Sequence, residues 1–290
     1  TLVNYGFDGS FDNGIIAHEY GHGISNRLIG GPSNSNCMQN NEQLGEGWSD
    51  YFGIAITMKP EDTETTSRGV GTFAVNQTIV GNGIRQYPYT TDMAVNPFTF
   101  NNVQDQALAD GAVSVHGVGS IWATMLWDLN WKMISVYGFD SDMYNGTGGN
   151  NKTMQLVTEG LKLTPCSSGF IGARDAILAA DVALNEGVNQ CLIWEVFARR
   201  GLGYSASSGE ADSFTDQTEA FDTPPEDVLS SCNALSLDNE KLNRFKVYPN
   251  PASESINISL TDEVKNATIY IYDINGRQVY SNELDIEGIV

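Results

Sequence analysis

The stretch HEYGHGISNRL, residues 18–28, places two of the chain's three histidines within five positions, with a carboxylate directly after the first. Residues four apart lie on one face of an α-helix, so His18 and His22 can direct ring nitrogens at one cation while Glu19 stands beside them. The pattern HExxH occurs by chance in roughly one chain of this size in a hundred, mostly on surface helices. A metal site therefore needs support from the rest of the sequence.

Apolar residues recur at helical spacing in this stretch and further along the chain. Asp12 or Asn13 can cap the first helix, which the glycines at 30 and 31 end. Further helices are predicted over residues 44–58, 115–136, 170–184 and 192–200, whereas residues 60–112 read as irregular. The sequence therefore predicts a mostly α core.

The motif GEGWSD, residues 45–50, supplies two acids four positions apart on a predicted helix. Hydrolytic zinc sites use three protein ligands and leave one position open, so Glu46 can complete a set with the two histidines. Asp50 can then accept the outer N–H of a ligating histidine and fix the orientation of its ring. Two acids at this spacing are more often a solvated helix face, but their position 28 residues after His18 favours the metal site.

The third histidine, His116, lies in VHGVGS at the start of the predicted 115–136 helix. A single histidine at a helix end is usually structural. Beside a zinc site it is instead a natural donor to the oxyanion that forms when a peptide bond is attacked. Asp110, six residues upstream, is the candidate partner for the other ring nitrogen.

The composition changes twice after the helical region. Residues 1–211 form the predicted catalytic domain, and the acidic segment 212–243 reads as a solvated linker. In residues 244–290, apolar and polar positions alternate, and an Asn-Gly turn at Asn275 and Gly276 separates two β-rich runs. The chain therefore predicts a small β domain after the linker.

The net charge of −21 comes from 36 acidic residues against 15 basic ones. Phosphate binding is driven by Lys and Arg, so this balance argues against nucleic acid and anionic membranes as partners. No apolar run approaches the roughly 18 residues that a membrane span needs. The first residues, TLVNYGFDGSFDNG, lack the charged and apolar regions of a signal peptide, so any targeting signal is expected elsewhere.

Four cysteines, at positions 37, 166, 191 and 232, show none of the CxxC spacings of a zinc clip or redox motif. An even number at wide spacing fits two disulfides in an exported protein, and buried free thiols are the alternative. Cys166 and Cys191 bracket one predicted helix, which favours their pairing and leaves Cys37 with Cys232.

Several separated motifs together resemble the fungalysin family of secreted zinc metallopeptidases: HEYGHGISNRLIGGPSNSNC, GEGWSDYFG, VHGVGSIWATMLWD, ARDAILAAD and IWEVFARRGLG. The likeness covers roughly residues 4–205, and the motifs occur in the family's order. Fungalysins are similar in fold to thermolysin, which implies that the chain contains the helical half of such a catalytic domain. The resemblance also implies the site: His18, His22 and Glu46 as zinc ligands, Glu19 as general base and His116 as transition-state donor.

The segments FKVYPNPASESINISL and IYIYDINGRQVY resemble the C-terminal sorting domain of the type IX secretion system, a β-sandwich. This resemblance implies the secretion machinery as a partner and a secreted or cell-surface location. The chain stops before the last strands of such domains, and only 17 residues precede His18, whereas fungalysins carry a propeptide and a β-rich half there. We therefore expect a fragment with a truncated β-sandwich and with little activity of its own.

The function predicted from these features is hydrolysis of protein or peptide substrates by a zinc endopeptidase with one catalytic ion, a metal-bound water and a glutamate base. Calcium ligands are not assignable from the motifs. The main alternative is an exported binding or adhesion protein whose peptidase-like domain no longer cleaves. A zinc hydrolase acting on sugars or nucleotides is disfavoured, because no motif indicates such a pocket.

Overall fold

Helices dominate the part of the chain that the computed structural model describes, which is residues 7–210, 212–229, 245–248, 255, 257–260, 267–272 and 278–284. The chain divides into two units, Thr1–Leu229 and Ser230–Val290. The described α-helices are α1 Asn13–Leu28, α2 Gly45–Ile56, α3 Val115–Tyr137, α4 Gly149–Leu163, α5 Phe170–Asn185 and α6 Gln190–Arg199. Two short 3-10 helices cover Gly9–Phe11 and Phe100–Asp105. The prediction that the first part of the chain is mostly helical is confirmed.

Helix α4 is the one described α-helix that the sequence patterns did not predict. Its first turn, GNNK, reads as a loop because Gly and Asn are poor helix formers. The helix forms because Leu156, Val157 and Leu161 bury their side chains completely in the core. Tertiary burial outweighs the weak local propensity here.

Asp12 begins α1 and also ties it to a distant segment. One carboxylate oxygen accepts the N–H groups of Gly14, at 2.8 Å, and Ile15, at 3.1 Å. The other accepts the N–H groups of Phe73, at 2.8 Å, and Ala74, at 3.2 Å. Of the two predicted caps, Asp12 is the one used, and it fixes where the HEYGH helix starts relative to the 73–74 turn.

Helix α3 is the centre of the core and contacts α2, α4 and α6. Its indole at Trp122 stacks on Phe197 of α6, with ring centroids 5.6 Å apart, and meets Trp48 of α2 edge-on at 5.0 Å. An apolar stripe along this helix, made of Val118, Trp122, Met125, Leu129 and Met133, is buried. Helix α3 therefore packs against α2, and α2 packs along α1.

The segment between α2 and α3 has little regular structure, as expected, and buried side chains hold it in place. Arg200, fully buried after α6, donates to Asp128 of α3 at 2.7 Å. The same guanidinium donates to the carbonyl oxygens of Asn96, at 2.7 Å, and Phe98, at 3.0 Å. Burying this charge is tolerable because it is paired and its hydrogen bonds are made.

The disulfide prediction is wrong. Cys37 bonds Cys166, across 129 residues of sequence, so Cys166 is not paired with Cys191. Cys191 is itself disulfide-bonded, and Cys232 lies outside the described residues. Bracketing one helix favoured a local pair, but the folded chain brings the loop between α1 and α2 against the start of α5.

The segment predicted as a linker divides differently in the structure. Residues 212–229 belong to the first unit, where Leu202 bridges Ala220 and Ser207 bridges Thr218. Through these bridges residues 218–220 pair with residues 202–207, directly after α6. The acidic composition of the segment did not predict this pairing. The rest of the predicted linker lies outside the described residues.

The second unit contains two antiparallel strand pairs among its described residues. Strand β1 Phe245–Tyr248 pairs with β2 Asn257–Leu260, and β3 Ala267–Tyr272 pairs with β4 Gln278–Leu284. The predicted β character of this region is confirmed, whereas the Asn-Gly turn lies outside the described residues. No described helix in either unit is long and apolar enough to cross a membrane.

Candidate metal centre

Helices α1 and α2 bring His18, His22 and Glu46 to one point. Nε2 of His18 lies 3.1 Å from Nε2 of His22 and 3.1 Å from Oε2 of Glu46. Nε2 of His22 lies 3.6 Å from Oε1 of Glu46. These three residues form the only group of His, Cys, Asp and Glu side chains in the described part of the chain with the convergence a metal needs.

Their separations fit a tetrahedral zinc ion. Zinc bonds of about 2.0 to 2.2 Å place the ligand atoms about 3.3 to 3.6 Å from one another. The nitrogens of His18 and His22 lie 3.1 Å apart, close to this range, and they face different oxygens of Glu46. One ligand atom from each of the three residues lies within 4.8 Å of the others. Two imidazole nitrogens and one carboxylate oxygen are also a donor set that zinc accepts.

Glycines allow the ligand helices to approach this closely. A Cβ on Gly21, between the two histidines of α1, would lie 2.7 Å from Cα of Ser49 on α2. A Cβ on Gly47, next to Glu46, would lie 2.4 Å from the carbonyl oxygen of Gly119 on α3. A side chain at Gly21 would push α1 from α2, and a side chain at Gly47 would push α2 from α3. Gly21 therefore allows His18 and His22 to approach Glu46.

Asp50 holds the outer nitrogen of His18, as its spacing from Glu46 predicted. Its Oδ1 lies 2.6 Å from Nδ1 of His18 and the carboxyl group is fully buried. Such a contact fixes the ring so that Nε2 points toward the other two side chains.

Arg85 and Tyr89 complete the surroundings of Asp50, and sequence reasoning missed both. Arg85 donates from Nε to Oδ2 of Asp50 at 2.7 Å and from Nη2 to Oδ1 at 2.9 Å. Tyr89 donates its hydroxyl to Oδ2 of the same carboxylate. One signal existed: Arg85 is the only Lys or Arg between Arg68 and Lys132, and a buried acid needs a cation.

The pKa values of Asp50, His18 and His22 are shifted in different directions by burial and by neighbouring groups. Burial raises the pKa of Asp50, but its bonds to His18 and Arg85 outweigh this effect and lower the pKa to about 2. Burial lowers the pKa of His18, yet the hydrogen bonds to Asp50 and Glu46 raise it to about 9 when no metal competes for the ring. The pKa of His22 is lowered, chiefly by burial. Asp50 is therefore ionised beside His18 at neutral pH.

Glu19, His116 and Asp110 occupy different places around this cluster. Glu19 is exposed on α1, next to His18 in sequence. Nε2 of His116, whose side chain is 61% exposed, lies 3.4 Å from Oε1 of Glu46. Asp110 instead accepts the N–H of Ala112 in an exposed turn, and no hydrogen bond or ion pair joins these two described residues, Asp110 and His116. The structure therefore brings His116 to the cluster but not Asp110 to His116.

Comparison with known protein families gives two matches. A model described as fungalysin metallopeptidase (M36) matches residues 2–206, which contain all the side chains above. A model described as a secretion system C-terminal sorting domain matches residues 246–288. The two matches fall on either side of the boundary between the two structural units.

Individual relatives carry names of the same kind. The extracellular metalloproteinase 2 of Arthroderma gypseum is 43% identical over 225 residues, which cover 75% of this chain and 33% of that protein. The extracellular metalloproteinase MEP of Neosartorya fischeri is 45% identical over 207 residues, or 69% of this chain and 31% of that protein. The chain thus spans about a third of the length of these relatives.

Proposed function

Because the chain belongs to the fungalysin metallopeptidase family, we propose that it carries the metal site of a zinc-dependent endopeptidase acting on extracellular proteins. The observation that carries this proposal is the convergence of His18, His22 and Glu46 at separations suited to zinc. The names of its relatives, which describe extracellular metalloproteinases, support the same activity.

In this proposal each side chain has a separate task. His18, His22 and Glu46 hold the ion, and Asp50 keeps the His18 ring in its ligating orientation. Zinc held there would act as a Lewis acid on the scissile carbonyl and make a nearby water more acidic. Glu19 would take a proton from the attacking water and deliver it to the leaving amine.

His116 would donate a hydrogen bond to the oxygen of the attacked carbonyl. Its ring projects from the first turn of α3 and reaches within 3.4 Å of Glu46, while more than half of the side chain stays accessible to a substrate. Donors aimed at the position where negative charge develops stabilise the transition state more than the ground state. We retain Asp110 only as a prediction for the substrate-bound protein, because in this structure its carboxylate caps a turn.

Arg85 is proposed as a positioning residue. Its guanidinium holds both oxygens of Asp50, and its Nη2 also lies 3.5 Å from Oε2 of Glu46. One cation thus restrains a zinc ligand and the partner of a second ligand. Without it, the carboxylates of Asp50 and Glu46, one turn apart on α2, would repel each other.

The C-terminal unit is proposed to direct the peptidase out of the cell. Its match to a secretion sorting domain supports recognition by the secretion machinery, and the acidic surface of the chain suits an extracellular protein. The secreted or cell-surface location then follows from the sorting unit and agrees with the extracellular relatives.

Hydrolysis of an unstructured protein tests the activity. The protein made from its complete reading frame should cleave casein, stop after phenanthroline removes zinc, and recover when zinc is returned. Metal content measured on the same samples should show one zinc per chain. Cleavage that survives full metal removal would contradict the mechanism, and a zinc-loaded protein without cleavage would favour the adhesion alternative.

Replacing His116 by Phe should reduce turnover while leaving zinc bound. The ring keeps its approximate size but loses its donor, so we expect a loss of transition-state stabilisation of about 2.7 to 4 kcal/mol. The measurement is kcat and KM on a short peptide, with zinc content determined in parallel. A loss confined to KM would show that His116 binds the substrate but does not stabilise the transition state.

A further inference from the structure

Glu42 is a buried acid outside the zinc cluster, in the loop that precedes α2. Its side chain is fully buried, and neither carboxylate oxygen makes a hydrogen bond of good geometry with another described residue. An ionised carboxylate without partners is very costly in a protein interior. Burial raises the pKa of Glu42 to about 7, and the nearby Ser208 hydroxyl and Phe170 N–H offset that increase only in part.

Other buried side-chain oxygens without a partner lie in the Glu42 loop and in the segment that contains Ser208. The side chains of Asn40, Ser208 and Gln217 each have a buried oxygen without a hydrogen-bond partner in the described part of the chain. Asn40 is two residues from Glu42, and Ser208 lies beside the carboxylate. Gln217 follows Asp216, whose negative charge also reaches Glu42. Native proteins rarely leave several buried polar atoms unpaired in one place.

The segment that follows α6 brings these groups together. The side chain of Asn41 donates to the backbone oxygen of Asp212. Ser207 and Thr218 exchange two backbone hydrogen bonds, of 2.9 and 2.8 Å, and so close this segment into a loop. Ser208 of the loop lies beside the Glu42 carboxylate. We call the described part of this segment, residues 207–210 and 212–218, the 207–218 loop.

Gly169 shows that space is reserved for the carboxylate. A Cβ at this position, just before α5, would lie 2.0 Å from Oε2 of Glu42. Any other residue would therefore displace the acid from its place between α5 and the 207–218 loop. The lack of a side chain at Gly169 therefore leaves room for the carboxylate of Glu42.

We propose that Glu42, with the side-chain oxygens of Asn40 and Ser208, binds a calcium ion that fastens the 207–218 loop to the catalytic unit. Calcium takes six to eight oxygen ligands from carboxylates, amides and carbonyls in flexible geometry, which suits one buried acid among neutral oxygens. Magnesium demands a stricter octahedron and keeps its waters, whereas zinc prefers nitrogen and sulfur. Asp216, at the exposed side of the loop, supplies a second negative charge.

Thermal unfolding of the zinc-loaded full-length protein tests the site through the tryptophans, all five of which lie in the first unit. Adding about 10 mM calcium should raise the Tm of the wild type by at least about 4 °C, if affinity is in the range of extracellular calcium modules. Glu42→Gln should respond by less than about 1 °C, because the amide removes the buried charge. Glu61→Gln, at an exposed acid in another loop, should respond like the wild type.

Native mass spectrometry of the same samples should count one calcium per wild-type chain and none in Glu42→Gln. Without calcium, Glu42→Gln should be at least as stable as the wild type, because it no longer buries a charge. If that variant does not fold, Asp216→Asn takes its place, and its Tm should need about tenfold more calcium to rise. An unchanged wild-type Tm, an equal response to magnesium, or an equal rise in Glu42→Gln would overturn the proposal.

Discussion

Glu19→Gln should keep one zinc per chain and lose turnover by about 10²- to 10⁴-fold, the range that a positioned general base contributes. The amide matches the carboxylate in size but cannot take a proton from water. Glu19 is exposed on α1, so the variant should fold normally. The Glu19→Gln substitution should therefore remove proton transfer and leave metal binding intact.

The measurement is kcat/KM on a short peptide, with zinc content by elemental analysis and folding by tryptophan fluorescence. Glu61→Gln is a suitable matched control, because it makes the same change at an exposed acid in the loop after α2. Full activity in Glu19→Gln would show that another group is the base. Lost zinc together with lost activity would show instead that Glu19 supports the metal site.

Asp50→Asn should weaken both the fold and the metal site. The change leaves the buried Arg85 without a charged partner and removes an acceptor from His18. Breaking a buried ion pair by removing one partner costs about 3 to 5 kcal/mol of unfolding free energy. Loss of a carboxylate that orients a ligating histidine lowers metal affinity by about 10- to 100-fold.

Urea unfolding of the zinc-free protein measures the first effect, and zinc titration against a competing chelator measures the second. Asp227→Asn changes an exposed acid in the same unit and should alter neither quantity. The pKa of Asp50 is lowered to about 2, so its pairing stabilises the fold above about pH 4 and this contribution disappears as pH falls through about 2. Unchanged zinc affinity in Asp50→Asn would restrict Asp50 to a structural role.

The parts of this site that the sequence could predict are those encoded by helical spacing. His18 and His22 share one turn of a helix, and Glu46 and Asp50 share a turn of the next, so each pair can be placed without knowing the fold. Arg85 could not be placed in this way. It lies in an irregular segment, and only the folded chain brings it 35 residues back to Asp50.

The same limit explains the errors elsewhere. The Cys37–Cys166 bond joins two loops whose local sequences do not predict that they meet. The pairing depends on how α1, α4 and α5 pack. Helix α4 is specified by burial of Leu156 and Leu161 more than by its Gly- and Asn-rich start. Local rules predicted most helices and the three side chains that converge at the candidate metal centre, whereas long-range contacts determined the residues that support them.

The Cys37–Cys166 bond also couples assembly of the ligand set to the compartment in which the chain folds. It anchors the loop that joins the two ligand helices to a residue 129 positions later, and a closure of that length contributes about 5 kcal/mol in the chain-entropy view. In a reducing cytoplasm this restraint does not persist. We therefore expect α1 and α2 to reach their full stability only after this pair of cysteines is oxidised.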